Sequence, residues 1–191
     1  MKFIPVLFAL SVSAILFSGT ASAITGTESA QMKFTSTVVT GTCTAKLVNS
    51  AGAEASEIPF GDVFRSDLTR KSRVEPLKII FSNCSGVTTA KIFAQPGAGN
   101  NCSGSGSDDA AFSGGHGSGV GFEVWSGSVD TGVLLNCGSA GNPATTEDVT
   151  ITNGTGELPM NSRIVLASGK TATDAKSGTV SAPVTFVVTY P

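Results

Sequence analysis

Apolar positions along this chain recur every second residue rather than every third or fourth. From 178 to 190 the alternate residues Gly178, Val180, Ala182, Val184, Phe186, Val188 and Tyr190 form an apolar face that ends in an aromatic ring. The intervening Thr179, Ser181, Pro183, Thr185, Val187 and Thr189 are mostly polar. Alternation in a β-branched and aromatic run predicts a strand with one buried face. The backbone groups of such a strand need partners and its large side chains need a core.

Similar short runs precede it. A first strand is predicted over 32–40, and 43–48 continues it or starts a second. Residues 58–63, with Pro59 inside them, read as a short edge segment, because proline cannot donate to a central ladder. Further strands are predicted over 74–81 (interrupted at Pro76), 88–94, 120–125, 132–135, 147–152 and 163–167. Loops are predicted at 49–56, 95–119, 153–159 and 168–177. No segment keeps a helical period for three turns. Short apolar runs bounded by Gly, Asn, Ser or Pro predict an antiparallel all-β domain.

The first 23 residues follow another pattern. A basic start at Lys2, an apolar run over 3–17 and the small residues Ala21 and Ala23 around Ser22 form a secretory signal peptide. The run is too short for a spanning helix, and no other stretch approaches that length. Cleavage after Ala23 leaves Ile24 at the new N-terminus, a polar arm over 24–31 and one domain over 32–191. The chain is therefore expected to be exported, with a core large enough to hold without metals.

Charge changes the picture little. Without Lys2, eleven basic residues face fourteen acidic ones, a net charge of about −3. That is too mild to call for nucleic acid or an anionic membrane. Arg65, Arg70, Lys71, Arg73 and Lys78 cluster in sequence and read as a solvated loop and strand edge. Four cysteines in an exported chain predict two disulfides, for which three pairings exist. Zinc is disfavoured: there is no Cys-x-x-Cys pair, and the single histidine, His116, lies in a Gly/Ser stretch.

The 178–190 stretch resembles the C-terminal motif of chaperone–usher pilus subunits, in which a glycine precedes alternating hydrophobic residues and a tyrosine stands one place from the end. Gly178 and Tyr190 occupy those places. Met32 to Val39 leading to Cys43, the run Ile58-Pro59-Phe60-Gly61-Asp62-Val63, and Val120-Gly121-Phe122-Glu123-Val124 also resemble pilin segments. The resemblance implies an incomplete immunoglobulin-like β-sandwich, a pilin fold completed by a strand donated from a neighbouring subunit. It implies that Gly178, Val180, Ala182, Val184, Phe186, Val188 and Tyr190 border the groove, filled first by a periplasmic chaperone and then by the arm of the next subunit. An outer-membrane usher and other pilus subunits are the implied partners, and a cell-surface fimbria the destination.

The resemblance also puts Cys43 at the end of the first strand, paired with Cys84. Cys102–Cys137 remains, an extra bridge that many members lack. Each loop of roughly forty residues is worth about 4 kcal/mol in the chain-entropy account. In the implied donor arm, Ile24, Gly26, Glu28, Ala30 and Met32 share one parity and form the better donor face. It is thin and carries a glutamate. A Val- or Leu-sized side chain gives about 1.5–3 kcal/mol on burial, so backbone hydrogen bonding in the groove must contribute more.

No cofactor or catalytic site is expected. A Ser-His-Asp or Cys-His arrangement would have to use His116. Asp108 and Asp109 read as solvated acids, and Ser113 and Ser118 lack a nucleophile elbow. The glycine-rich stretch over 97–121 has neither the lysine nor the strand–helix context of a phosphate loop. The leading expectation is a structural fimbrial subunit. The alternatives are a minor adaptor or adhesive subunit binding a host carbohydrate or protein, and a self-complete secreted sandwich.

Overall fold

Two antiparallel sheets enclose the core. The structure is a computed structural model that describes residues 35–37, 39–103, 111–138 and 145–191. From Val38 onward the chain is one compact unit; of the unit Met1–Thr37, only 35–37 are described, without regular structure. The strands are β1 (Thr42–Asn49), β2 (Val74–Ser85), β3 (Thr89–Pro96), β4 (Phe112–Ser113), β5 (Val120–Ser126), β6 (Val133–Leu134), β7 (Thr146–Thr150), β8 (Gly156–Leu166) and β9 (Val184–Thr189). One helix, α1 (Arg65–Arg70), joins β1 to β2. The larger sheet runs β1-β2-β8-β5-β4, with β6 also on β5, and the smaller runs β7-β3-β9.

The inward faces of both sheets share one core. Leu77, Ile79 and Phe81 of β2, Val124 of β5, and Leu158 and Met160 of β8 meet Ala90, Ile92 and Ala94 of β3 and Val149 of β7. A second cluster continues along the larger sheet. There Val120, Phe122 and Ile164 are covered by Leu68 of α1 and by Ala175. Phe60 packs edge-on against Phe122 with ring centroids 5.3 Å apart.

The two prolines inside strands, Pro76 and Pro159, sit where a neighbouring strand has ended, while Pro96 closes β3. Pro76 pairs with Asn161 of β8, but β1 stops at Asn49 opposite Leu77. Pro159 pairs with Lys78 of β2, but β5 stops at Ser126 opposite Met160. A missing N–H is tolerated on an unpaired flank. The strand predicted to break at Pro76 therefore runs through it, and β8 starts at Gly156 inside the predicted 153–159 loop. Only the tip of that loop is a turn: Asn153 (φ 53°) and Gly154 (φ 77°) join Thr152 to Thr155 with the paired positive φ of a tight hairpin.

Other expectations need correction. No ladder covers the described part of 32–40, and Val39 is 80% exposed. The reason is that β2 ends at Ser85, opposite Thr42, so nothing lies beyond it to pair with. Cys43 thus stands at the start of the first strand rather than its end. Residues 58–63 form no strand, although Ile58 packs on the first core cluster. The 95–119 loop contains β4, whose Phe112 is buried.

Short-range capping explains α1, which lacks the length to show a period. The Asp67 carboxylate accepts a hydrogen bond from the Phe64 N–H at 3.0 Å, and Lys71 ends the helix at φ 52°. That N–H, followed by Arg70 and Ser72, holds the Asp67 pKa below its ordinary value. The Thr171 N–H and hydroxyl do the same for Asp174, and Arg163 for Asp130. A carboxylate whose folded pKa lies below its unfolded one stabilises the fold fully above the unfolded pKa. That stabilisation is lost as pH falls through the folded pKa. The urea midpoint is therefore expected to be flat with pH above about 5 and to decline below about 4. The decline should be shallower in Asp130→Asn, followed by the fluorescence of Trp125, the chain's single tryptophan.

Candidate functional site

The strand β9 is half of a paired structure. Its register against β3 sets Val184 opposite Pro96, Phe186 opposite Ala94 and Val188 opposite Ile92. Ile92 and Ala94 are 0% exposed, whereas Val184, Phe186 and Val188 remain half-buried in the same cluster. Registered partners on one face should share a depth unless a wall is missing beside one of them. Among the described residues β9 pairs with β3 alone, and no described strand takes its other edge.

The larger sheet ends in the same way. Its edge strand β1 has β2 on one side and, among the described residues, only the short bridge of Val48 to Glu54 on the other, where the Ala55 N–H bonds the Leu47 carbonyl at 3.0 Å; Cys43 and Leu47 pack partly exposed against the cluster that β9 lines. Among the described residues, the outer edge of β9 and the 42–46 part of β1 thus border one core without a neighbouring strand. Unpaired edges of this kind are templates for a further strand.

The seven sequence-predicted groove residues fall into three groups. Val184, Phe186, Val188 and Tyr190 pack on the first cluster. Val180 packs on the second, and Ala182 touches both. Gly178 is exposed at φ 137° and touches neither cluster. The ladder starts only at Val184, because β3 ends opposite it at Pro96, where Gly97 N–H bonds to the Pro183 carbonyl at 2.8 Å. The predicted donor residues Ile24, Gly26, Glu28, Ala30 and Met32 lie outside the described residues. Sequence reasoning noted the 43–48 and 58–63 segments but did not place Leu47 and Ile58 on the cluster that β9 lines, because only the tertiary fold brings those segments to it.

Disulfides join Cys43 to Cys84 and Cys102 to Cys137. The first ties the start of β1 to the end of β2 beside the open edge. The clustered basic residues are largely engaged. Arg65 bonds the Ala175 carbonyl, Arg73 the Phe60 carbonyl, Arg70 the Asp67 carboxylate and Lys78 the Glu157 carboxylate. His116 is exposed and holds no hydrogen bond among the described residues; Asp108 and Asp109 lie outside them. The Ser118 hydroxyl bonds the Gly115 carbonyl at 3.0 Å. No group of metal-ligating side chains is found among the described residues, and no helix there is long and apolar enough to cross a membrane.

Two charged side chains are buried among the described residues, Arg163 and Glu123. The Arg163 guanidinium, 3% exposed, donates to Glu123 Oε2 at 2.6 and 2.9 Å and to both oxygens of Asp130 at 2.7 and 2.8 Å. It lies 5.6 Å from the centre of the Trp125 ring, whose Nε1 donates to the same Glu123 oxygen at 3.0 Å. Asp130 first and Glu123 next raise the Arg163 pKa further. Gly132 lets the 127–132 loop close over this triad, since a Cβ there would lie 2.0 Å from the Ser126 carbonyl oxygen.

Comparison with known proteins bears on this geometry. The sequence profile of the family described as fimbrial protein matches residues 32–191. The chain is 33% identical over 200 residues to the uncharacterised fimbrial-like protein YadL of Escherichia coli K12, covering 100% of this chain and 99% of that one. Its fold is similar to the P pilus rod subunit PapA, with TM-score 0.53, 18% identity, and coverage of 78% of this chain and 99% of that chain. It is also similar to a subunit of a chaperone–usher pilus solved to explain rod uncoiling. There the TM-score is 0.54 and identity 20%, covering 87% of this chain and 98% of that chain.

Proposed function

The chain belongs to the fimbrial protein family, and from that membership we propose that it polymerises by strand exchange along β9. It is a structural or adhesive subunit of a cell-surface fimbria. The donor is the 24–32 arm of a neighbouring subunit, with Ile24, Gly26, Glu28, Ala30 and Met32 facing the core. A periplasmic chaperone occupies the edge before assembly, and an outer-membrane usher directs the exchange. Signal peptide 1–23, arm 24–31 and domain 32–191 are the functional divisions.

The observation that carries this reading is the depth difference across one register. Ile92 and Ala94 are fully buried, while their partners Val188 and Phe186 stay partly exposed beside a strand edge that no described strand takes. A strand added at that edge satisfies the backbone groups and covers the side chains in one step.

Deleting residues 24–31 separates donation from acceptance. The deleted subunit is expected to be captured by the chaperone at the wild-type level and to give no fibres. Electron microscopy of surface material and co-purification with the chaperone read the two outcomes. Normal fibres from the deleted chain would refute donation by this arm.

A further inference from the structure

Arg65, at the start of α1, and Arg73, just beyond its end, bind backbone carbonyls rather than carboxylates. The Arg65 Nε and Nη2 both donate to the Ala175 carbonyl, at 3.1 and 2.8 Å. The Arg73 Nη2 donates to the Phe60 carbonyl. Neither arginine is ion-paired among the described residues. The helix between them has a fixed base. Leu68 is buried in the second core cluster, and the Ile164 N–H of β8 bonds the Arg73 carbonyl at 3.3 Å.

The two carbonyls belong to segments that line the same core as β9. Ile58 packs on the first cluster, with Val184, Phe186 and Val188, whereas Phe60 and Val63 pack on the second. Val180 packs on the second cluster and Ala182 on both. Residues 58–63 and 180–188 therefore each run from one cluster to the other. Neither 58–63 nor 177–183 belongs to a ladder among the described residues. Without ladder bonds, other ties must fix these segments. Ala175, 3% exposed, is held by Arg65, and the next residue, Lys176, bonds the Ser118 carbonyl through its N–H at 3.0 Å. Phe60 is held by Arg73 on one side and by its ring against Phe122 on the other.

We propose that Arg65 and Arg73 are positioning residues for strand acceptance: from the two ends of α1 they hold the 58–63 and 175–182 segments at a fixed spacing over the second cluster. The inference rests on the β9 reading and adds to it the device that keeps the groove in shape before a strand arrives. A guanidinium bonds a carbonyl more strongly than a neutral donor does, and its rigid fork fixes direction as well as distance. Segments already held in place lose less freedom when the strand is seated, so more of the burial shows as net stabilisation. The clamp also accounts for Val180 and Ala182, which pack on the core although the β9 ladder starts only at Val184. It gives a role to two of the five clustered basic residues that the β9 ladder leaves unused.

The test is a double-mutant cycle between the clamp and the donated strand. The urea midpoint of the full exported chain is measured with and without residues 24–32 fused behind Pro191 through a Gly/Ser linker. The wild-type gain on fusion is expected to be on the order of 2 M. In Arg65→Gln/Arg73→Gln that gain should fall to about half or less, because the strand must then order its own walls. Each single substitution should lower the gain in part, so the cycle can be read even where the double variant does not fold. Arg73→Lys keeps a cationic donor and should retain more of the gain than Arg73→Gln. Val165→Ala, at a buried β8 position outside both clusters, should lower both midpoints and leave the gain at its wild-type size. The proposal is overturned if the arginine variants keep the full gain, since both residues then only stabilise the fold. It is equally overturned if Val165→Ala shrinks the gain as much as they do. A wild-type chain with no gain overturns the β9 reading and this inference with it, whereas a wild-type gain that the arginine variants share overturns this inference alone.

Discussion

Fusing residues 24–32 behind Pro191 through a flexible Gly/Ser linker is expected to raise the urea midpoint of the isolated exported subunit by on the order of 2 M. The effect follows from what the arm brings to β9. Ile24 and Met32 are its two large apolar side chains, and burying both is worth about 3–6 kcal/mol. For a domain of this size the urea slope is about 1–3 kcal/mol/M, which converts that gain to a molar-scale shift. The backbone of the added strand also satisfies the outer edge of β9, which otherwise exposes an apolar stripe and promotes aggregation. The unfused subunit should therefore aggregate during purification, and the fused form should be a soluble monomer. In the fused form Glu28→Val should add further stability if residue 28 faces the core, and change nothing if it faces solvent. A stable, cooperative subunit whose midpoint the fusion leaves unchanged would mean that the sandwich is already complete.

The second large effect concerns the buried triad. Arg163→Met should destabilise the subunit by about 3–5 kcal/mol, because it leaves the Glu123 carboxylate buried without its cation. Glu123→Leu should do comparable damage by stranding the guanidinium, although Asp130 still accepts from it. Asp130→Asn should matter less, since that side chain is 65% exposed and screened by water. The double variant Glu123→Leu/Arg163→Met should recover most of the loss, as removing both charges removes the need to solvate either. Trp125 reports each case, because its Nε1 bonds Glu123 and its ring lies beside the guanidinium. A loss below about 1 kcal/mol in Arg163→Met would show that the triad is solvated in the folded protein.

The amino-acid sequence by itself determined the class of fold and the face of the last strand. Val184, Phe186 and Val188 alternate with Thr185, Val187 and Thr189, and a period of two can bury only one of those sets. The tight turn at Asn153-Gly154 and the existence of most strands were equally local matters, written in turn residues and short apolar runs. The ends of the strands were not local. β1 begins at Thr42 because β2 ends at Ser85, and Pro76 and Pro159 remain inside strands because a neighbour has stopped beside each. The burial of Glu123 and Arg163 was also decided in three dimensions. Both stand on outward positions that alternation assigns to solvent, and they are covered there by Asp130 of the 127–132 loop and by the Trp125 ring. The half-burial of β9 is of the same kind. Pattern marks which side chains face the core, but how deep they lie depends on whether a strand occupies the next place in the sheet, and that depends on residues distant in the chain.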